Sequence, residues 1–266
     1  MNIALLGAES SGKSQLAQAL VQELHALLPS PDRGGPTVTL VPEALRSWCV
    51  AHGRTPQAHE QASVAEMQLA ALHAAQADGG PGAWVVSDTT PLQTAVYSEH
   101  YFSDASLTAW AHHAHRQHHA PGQGLTLLMG LDLPWQADGP WRDGPAVQQA
   151  IDALLRTHLQ QLGLPFQTIY GHGTHRVGAA LQAVAAALPT ALYAAQTSWK
   201  DSLVTRANYL LQTSDRVLFH SKMMPVCEAC SDPDCEHTLF ARLLSQRPTR
   251  PVSARLVPPA EKPAAG

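Results

Sequence analysis

Nothing in this 266-residue chain approaches the ~20 consecutive apolar residues that a membrane-spanning helix needs. Charge is scarce as well. Only 14% of residues are Asp, Glu, Lys or Arg and the formal net charge is -4, so no polybasic footprint points to nucleic acid as a main partner. No cationic stretch leads into an apolar signal segment at the start, and we expect a cytoplasmic protein. In a reducing compartment the four cysteines read as thiols or metal ligands rather than as a disulfide framework. No internal repeat stands out. What remains is a chain with 45% hydrophobic residues, enough for a full core. At the usual ~100 to 200 residues per domain it has room for one large domain and an appendage.

The chain is organised around Gly7-Ala8-Glu9-Ser10-Ser11-Gly12-Lys13-Ser14, which fits the phosphate-loop pattern G-x-x-x-x-G-K-[ST] at every fixed position. Ile3 to Leu6 ahead of it is an apolar run of strand length. Leu16, Leu20, Leu24, Leu27 and Leu28 behind it recur at helical spacing. That order sets the motif apart from a chance glycine turn. Backbone N–H groups of the loop and of the open first helical turn would surround a β-phosphate, where the helix dipole favours negative charge. Lys13 would add a point charge toward the β- and γ-phosphates, and the Ser14 hydroxyl would ligate Mg²⁺.

Downstream, a breaker-rich loop at 29–36 precedes an expected strand Thr37–Val41 and a helical start at Glu43, which puts Glu43 and Arg46 on neighbouring positions of one turn. A plain surface ion pair explains those two residues equally well. A long alanine-rich helix is expected from Gln57 to Ala77. The strand Trp84–Val86 then ends at Ser87-Asp88-Thr89-Thr90. Asp88 fits a Walker B carboxylate at a strand end, or the N-cap of the helix expected over Pro91–Tyr101; the phosphate loop favours the carboxylate role.

The helix expected over Ala105–His119 carries His112, His113, His115, His118 and His119, without acidic or cysteine companions at ligand spacing, and reads as a solvated face. A strand Leu125–Met129 leads into residues 131–144, where two tryptophans, three aspartates and an arginine read as a substrate-closing lid. A helix over Ala146–Leu162, a strand Phe166–Tyr170 and a helix opening at Gly171 complete the alternation. Five strands alternating with helices imply a parallel sheet covered on both faces, with ligand at the carboxyl ends of the strands.

These residues resemble the kinase domain of NadR-type proteins, the bacterial ribosylnicotinamide kinases, and their wider ATPase relatives. The likeness rests on the Gly7–Ser14 loop, Glu43-x-x-Arg46, Gln68, Ser87-Asp88-Thr89, Pro134-Trp135 with Asp138-Gly139 and a lid arginine, and Gly171-x-Gly-x-x-Arg176. It covers about residues 1–188. Here Pro140 and Trp141 separate Asp138-Gly139 from Arg142, a departure from the pattern. The resemblance implies an α/β P-loop NTPase three-layer sandwich with a five-stranded parallel sheet. It also implies transfer of the γ-phosphoryl of ATP to a nucleoside-like small molecule, with ribosylnicotinamide the first candidate, or ATP/GTP-dependent regulation without a small-molecule acceptor. On this reading Gly7, Glu9, Ser10, Ser11, Gly12, Lys13, Ser14, Gln15 and Arg176 bind nucleotide, while Lys13 and Arg142 serve the transferring phosphoryl. Ser14 and Asp88 hold Mg²⁺, Glu43 orients or deprotonates the acceptor hydroxyl, and Arg46, Trp135 and Asp138 contact the acceptor.

The C-terminal part departs from that pattern. Cys227, Cys230, Cys235 and His237 form a C-x2-C-x4-C-x-H array, the spacing of a structural zinc knuckle in a small appendage over 189–246, because two thiolates at C-x2-C spacing address one metal and four protein ligands close its tetrahedron. Ser198–Leu211 reads as a helix, Arg216–Phe219 as a short strand, and Leu239, Phe240, Leu243 and Leu244 as one helical face. The proline- and alanine-rich residues 247–266 are expected to be disordered.

Overall fold

The computed structural model describes residues 1–80, 82–135, 144–188 and 194–215. Five strands, β1 (Asn2–Leu6), β2 (Val38–Val41), β3 (Trp84–Asp88), β4 (Gly124–Met129) and β5 (Phe166–Ile169), form one sheet in the order β2-β3-β1-β4-β5. Every pairing is parallel, as the alternation of strands and helices required. The central strand β1 pairs with β3 and β4, so the chain changes direction of winding beside it. That switch point opens a crevice at the carboxyl ends of the strands.

The pleat of β1 explains the layers. Ile3 and Leu5 turn to one face and join α1 (Lys13–Leu27) and α7 (Gly173–Ala187) in the larger core, through Leu16, Leu20, Leu24, Leu181 and Val184. Leu6 turns to the other and packs with α4 (Pro91–Phe102) and α6 (Pro145–Leu162), through Leu92, Val96, Ile151, Leu155 and Leu159. Between these on the chain lie α2 (Ala44–His52), α3 (Gln61–Gly79) and α5 (Thr108–His119). Leu72 and Ala75 of α3 cover Val41 and Val85 at the β2 side.

The histidines of α5 overturn the expected solvated face. His112, His115 and His119 are buried, His118 is half-buried, and of the five His113 alone is exposed. His115 Nε2 lies 2.9 Å from Thr126 Oγ1, and its Nδ1 lies 3.4 Å from Thr90 Oγ1. His112 Nε2 lies 2.9 Å from His158 Nδ1, and His158 Nε2 lies 2.8 Å from a Glu99 oxygen. A neutral imidazole is a flat, mostly apolar ring that tolerates burial when its nitrogens find partners.

A last helix, α8 (Ala194–Asp215), buries Leu203, Ala207 and Leu210 in the larger core, and Arg206 meets Glu23 of α1 through two hydrogen bonds of 2.8 and 2.7 Å. Each such leucine contributes ~1.5–3 kcal/mol of burial. Residues 194–215 thus pack into the same compact unit as the sheet. The cysteine knuckle, the strand and helix expected around it and the tail lie outside the described residues. Among the described residues no helix is long and apolar enough to cross a membrane, and no cluster of three or more His, Cys, Asp or Glu could hold a metal.

Candidate nucleotide site

The phosphate loop is folded as its glycines require. Gly12, at φ 80°, is the N-cap of α1, and a Cβ there would lie 3.0 Å from both Arg176 Nη1 and Leu133 Cδ1. At Gly7 a Cβ would come within 2.8 Å of Met129 Cβ, so β4 abuts the start of the loop. Ser10 holds a left-handed φ of 58°, a costly conformation for a residue with a Cβ. Ser11 Oγ donates to Ala8 O at 2.6 Å, closing the turn. The Lys13 ammonium is buried and donates to Gly7 O at 2.7 Å and Ala8 O at 3.0 Å, which hold it against the loop. Ser14 is half-buried and Gln15 exposed on the first turn of α1, while Glu9 and Ser10 are half-buried.

Asp88 closes β3 level with Leu5 of β1 and is buried, 5% exposed. Its Oδ1 has no hydrogen-bond partner among the described residues. The cap of α4 is Thr90, whose hydroxyl accepts from Leu92 N at 3.3 Å, so the alternative role of Asp88 as a helix cap does not apply. A buried, uncommitted carboxylate oxygen at the end of the strand beside β1 fits the oxygen ligands Mg²⁺ demands. Thr89 beside it takes a left-handed φ of 77°, so both turns that frame the site carry backbone strain.

Arg176 takes a different position from the other loop residues. It enters from the first turn of α7, 4% exposed, and donates to Ser11 O in the phosphate loop and to Gly130 O at 3.3 Å. Its second nitrogen reaches Asp132 Oδ1 at 2.6 Å, and Asp132 also accepts from Gly171 N. Burial lowers the Arg176 pKa while Asp132 works against that shift. Arg176 thus ties the phosphate loop to the ends of β4 and β5. Asp132, which sequence reasoning left among the lid residues without a role, is its counterion.

Two of the residues expected at the acceptor, Glu43 and Arg46, lie at the start of α2. Glu43 is the N-cap position of α2, its side chain 15% exposed, and its carboxylate stands 4.0 Å from Arg46, which is 57% exposed. Gln68 locks this turn in place. Its Oε1 accepts from Ala44 N at 2.7 Å, and its Nε2 donates to Pro42 O at 3.3 Å and reaches Thr89 O at 3.5 Å. Tyr97 is buried and its phenol is pushed well up, first by burial and then by the Glu43 and Glu9 carboxylates. Gln93 accepts from Gly7 N at 3.3 Å, and Gln148 of α6 donates to Glu9 O at 2.7 Å. Sequence reasoning missed Gln93, Tyr97 and Gln148; the available signal was polar side chains at positions where α4 and α6 otherwise bury apolar ones. Trp135 has a buried indole N–H without an acceptor among the described residues. Asp138 and Arg142 lie outside them.

A parallel sheet with its glycine loop after the central strand, a lysine and serine opening the next helix and an acidic residue closing the neighbouring strand define a P-loop NTPase fold. The comparison with protein families agrees: a model described as an AAA domain matches residues 2–176, and the chain belongs to that family. No curated protein matches the chain. Domains of this class bind ATP with Mg²⁺.

Proposed function

We propose that the chain is a P-loop phosphotransferase that moves the γ-phosphoryl group of ATP to a hydroxyl of a nucleoside-like small molecule, ribosylnicotinamide being the first acceptor to try. The observation that supports this reading is the half-buried carboxylate of Glu43 at the start of α2, in a turn that Gln68 ties through Ala44 N and Thr89 O to the end of β3 where Asp88 lies. A transferase must hold an acceptor hydroxyl in line with the phosphates, and a carboxylate fixed in place there could do so. In this reading Lys13 and Arg142 neutralise the transferring group, Ser14 and Asp88 hold the Mg²⁺ that bridges the phosphates, and Glu43 takes the acceptor proton. Arg46, Trp135 and Asp138 complete the acceptor side, and Gln15 flanks the nucleotide. Arg176 supports the loop from beneath. Cys227, Cys230, Cys235 and His237 are proposed as a structural zinc site on the strength of their spacing.

The test is ADP release from purified protein over a panel of nucleosides and related metabolites. At least a tenfold rise with one acceptor is expected. ADP release that no acceptor changes would replace this reading by a regulatory ATPase.

A further inference from the structure

We propose that His115 is a positioning residue for the Mg²⁺ of this site, fixing the turn that carries Asp88 through the hydroxyl of Thr90. The inference rests on the assignment of Asp88 to Mg²⁺ and holds whichever acceptor the chain uses.

His115 of α5 is buried, and no step of the phosphoryl transfer above employs it. Burial keeps its ring neutral, with the pKa lowered to about 3. An apolar side chain would fill the same space without having to find partners for two ring nitrogens. Here both nitrogens have them. Thr90 Oγ1 already accepts from Leu92 N, so its proton is available to His115 Nδ1 at 3.4 Å, and Nε2–H then donates to Thr126 Oγ1 at 2.9 Å; this assignment satisfies every group in the chain of bonds. Thr90 and Thr126 are buried too, which shields these bonds from solvent.

The chain of bonds spans the sheet. Thr126 lies level with Ala4 of β1, and Ala4 with Ser87 of β3, on the face where Leu6 packs with α4 and α6. Thr126 therefore anchors the imidazole to β4, and the imidazole reaches back to the turn after β3. That turn needs holding. Thr89 takes a φ of 77° between Asp88 and Thr90, a conformation that a residue with a Cβ keeps only where its surroundings over-determine it. Thr89 N donates to Leu5 O at 3.0 Å, and Gln68 Nε2 reaches Thr89 O at 3.5 Å, which tie the turn to β1 and α3. His115 adds a tie to β4. Asp88 Oδ1 has no hydrogen-bond partner among the described residues, so its aim depends on the backbone that carries it. Mg²⁺ demands near-ideal octahedral geometry, and groups that only orient a metal's ligands commonly carry ~10–100-fold of its affinity.

The experiment measures ATP binding by titration calorimetry on the full chain, in Mg²⁺ and in EDTA; the ratio of the two affinities is the gain from Mg²⁺. His115→Gln places an amide where Nε2 lies, keeping Thr126 and releasing Thr90, whereas His115→Asn places one where Nδ1 lies and keeps Thr90. Thr126→Val removes the anchor at nearly equal volume. In His115→Gln the gain from Mg²⁺ should fall ~10-fold while affinity in EDTA stays within about 2-fold of wild type. Thr126→Val should lower the gain at least ~3-fold, and His115→Asn should retain more of it than His115→Gln. If His115→Gln does not fold, Thr126→Val carries the same test. Equal losses with and without Mg²⁺ would make His115 a packing residue and overturn the proposal, as would an unchanged gain. Asp88→Ala separates this from the reading beneath it. If that variant keeps the gain from Mg²⁺, Asp88 is no metal ligand and the proposal falls with its assignment. If it loses the gain while the His115 and Thr126 variants keep it, the proposal alone falls.

Discussion

Replacing Arg176 by alanine tests whether the phosphate loop is held from beneath. The guanidinium side chain is 5% exposed and its counterion Asp132 is 30% exposed, so the pair is buried at one end only. A fully buried pair broken on one side costs ~3–5 kcal/mol, but the exposed part of Asp132 rehydrates and lowers that share. Two carbonyls, Ser11 O and Gly130 O, lose a buried donor, at ~1–3 kcal/mol each where water does not replace it. The contact to Ile169 O at 3.5 Å is at the limit of a hydrogen bond and adds little. These losses overlap within one network and do not add in full, so the total is roughly 2–5 kcal/mol. Asp132→Asn keeps one acceptor oxygen and should cost less, ~1–2 kcal/mol. Urea unfolding followed by tryptophan fluorescence reads these as shifts of the midpoint at unchanged slope. Because the two residues share one network, the double variant Asp132→Ala/Arg176→Ala should cost at least ~1 kcal/mol less than the sum of the single changes. Arg176→Ala within ~0.5 kcal/mol of wild type, or additive losses, would refute the argument.

Lys13→Ala should abolish the stabilisation by Mg-ATP, which in wild type reaches about 2.7 kcal/mol at ~100 times the dissociation constant; thermal shift checks it, and equal stabilisation of both proteins would count against the loop. Burial, with help from His112 and His118, lowers the His115 pKa to about 3, and burial also holds His112 and His119 below the ordinary value. An unfolded histidine titrates near 6.5, so below that pH the unfolded chain binds more protons, and stability present above it is lost on acidification by up to ~1.4 kcal/mol per pH unit for each histidine. Urea midpoints from pH 7.5 to 5.5 should fall, and His115→Gln should flatten the slope by about one proton; a flat wild-type profile would rule this out. Elemental analysis should find about one zinc per chain, lost in Cys230→Ser, and metal-free protein with an unchanged melting profile would remove the proposed knuckle.

The phosphate loop was legible because its demands are local: two glycines where no Cβ fits, a lysine and a serine in the first helical turn. Strand order was not, since a parallel crossover brings together residues far apart in sequence, as where Leu5 meets both Asp88 and Leu127. The two readings of Asp88 could not be separated from residue type alone, because Asp and Thr both cap helices and Thr90 stood two positions away. On α5 the signal was present and outweighed by polarity. His112, His115 and His119 recur at intervals of three and four, the spacing of one helix face, and they are buried with Ala111 and Ala114. Period decides which face turns inward, and a partnered imidazole can follow it.

Among the residues that shape the site, Gln93 and Gln148 were the hardest to see, for a reason they share with Gln68. Gln68 joins the turn after β2 to the turn after β3, Gln93 joins α4 to the phosphate loop, and Gln148 joins α6 to it as well. An uncharged amide with a donor and an acceptor can bridge two turns at a smaller desolvation penalty than a charged side chain. It leaves no mark in net charge, and of the three only Gln68 was read from the sequence. Arg176 makes a bridge of this kind with a charge, and there Asp132 supplies the counterion. Loops held to each other by such bridges keep their donors aimed before a ligand arrives, and donors fixed in advance are what a phosphoryl-transfer site uses in place of covalent chemistry.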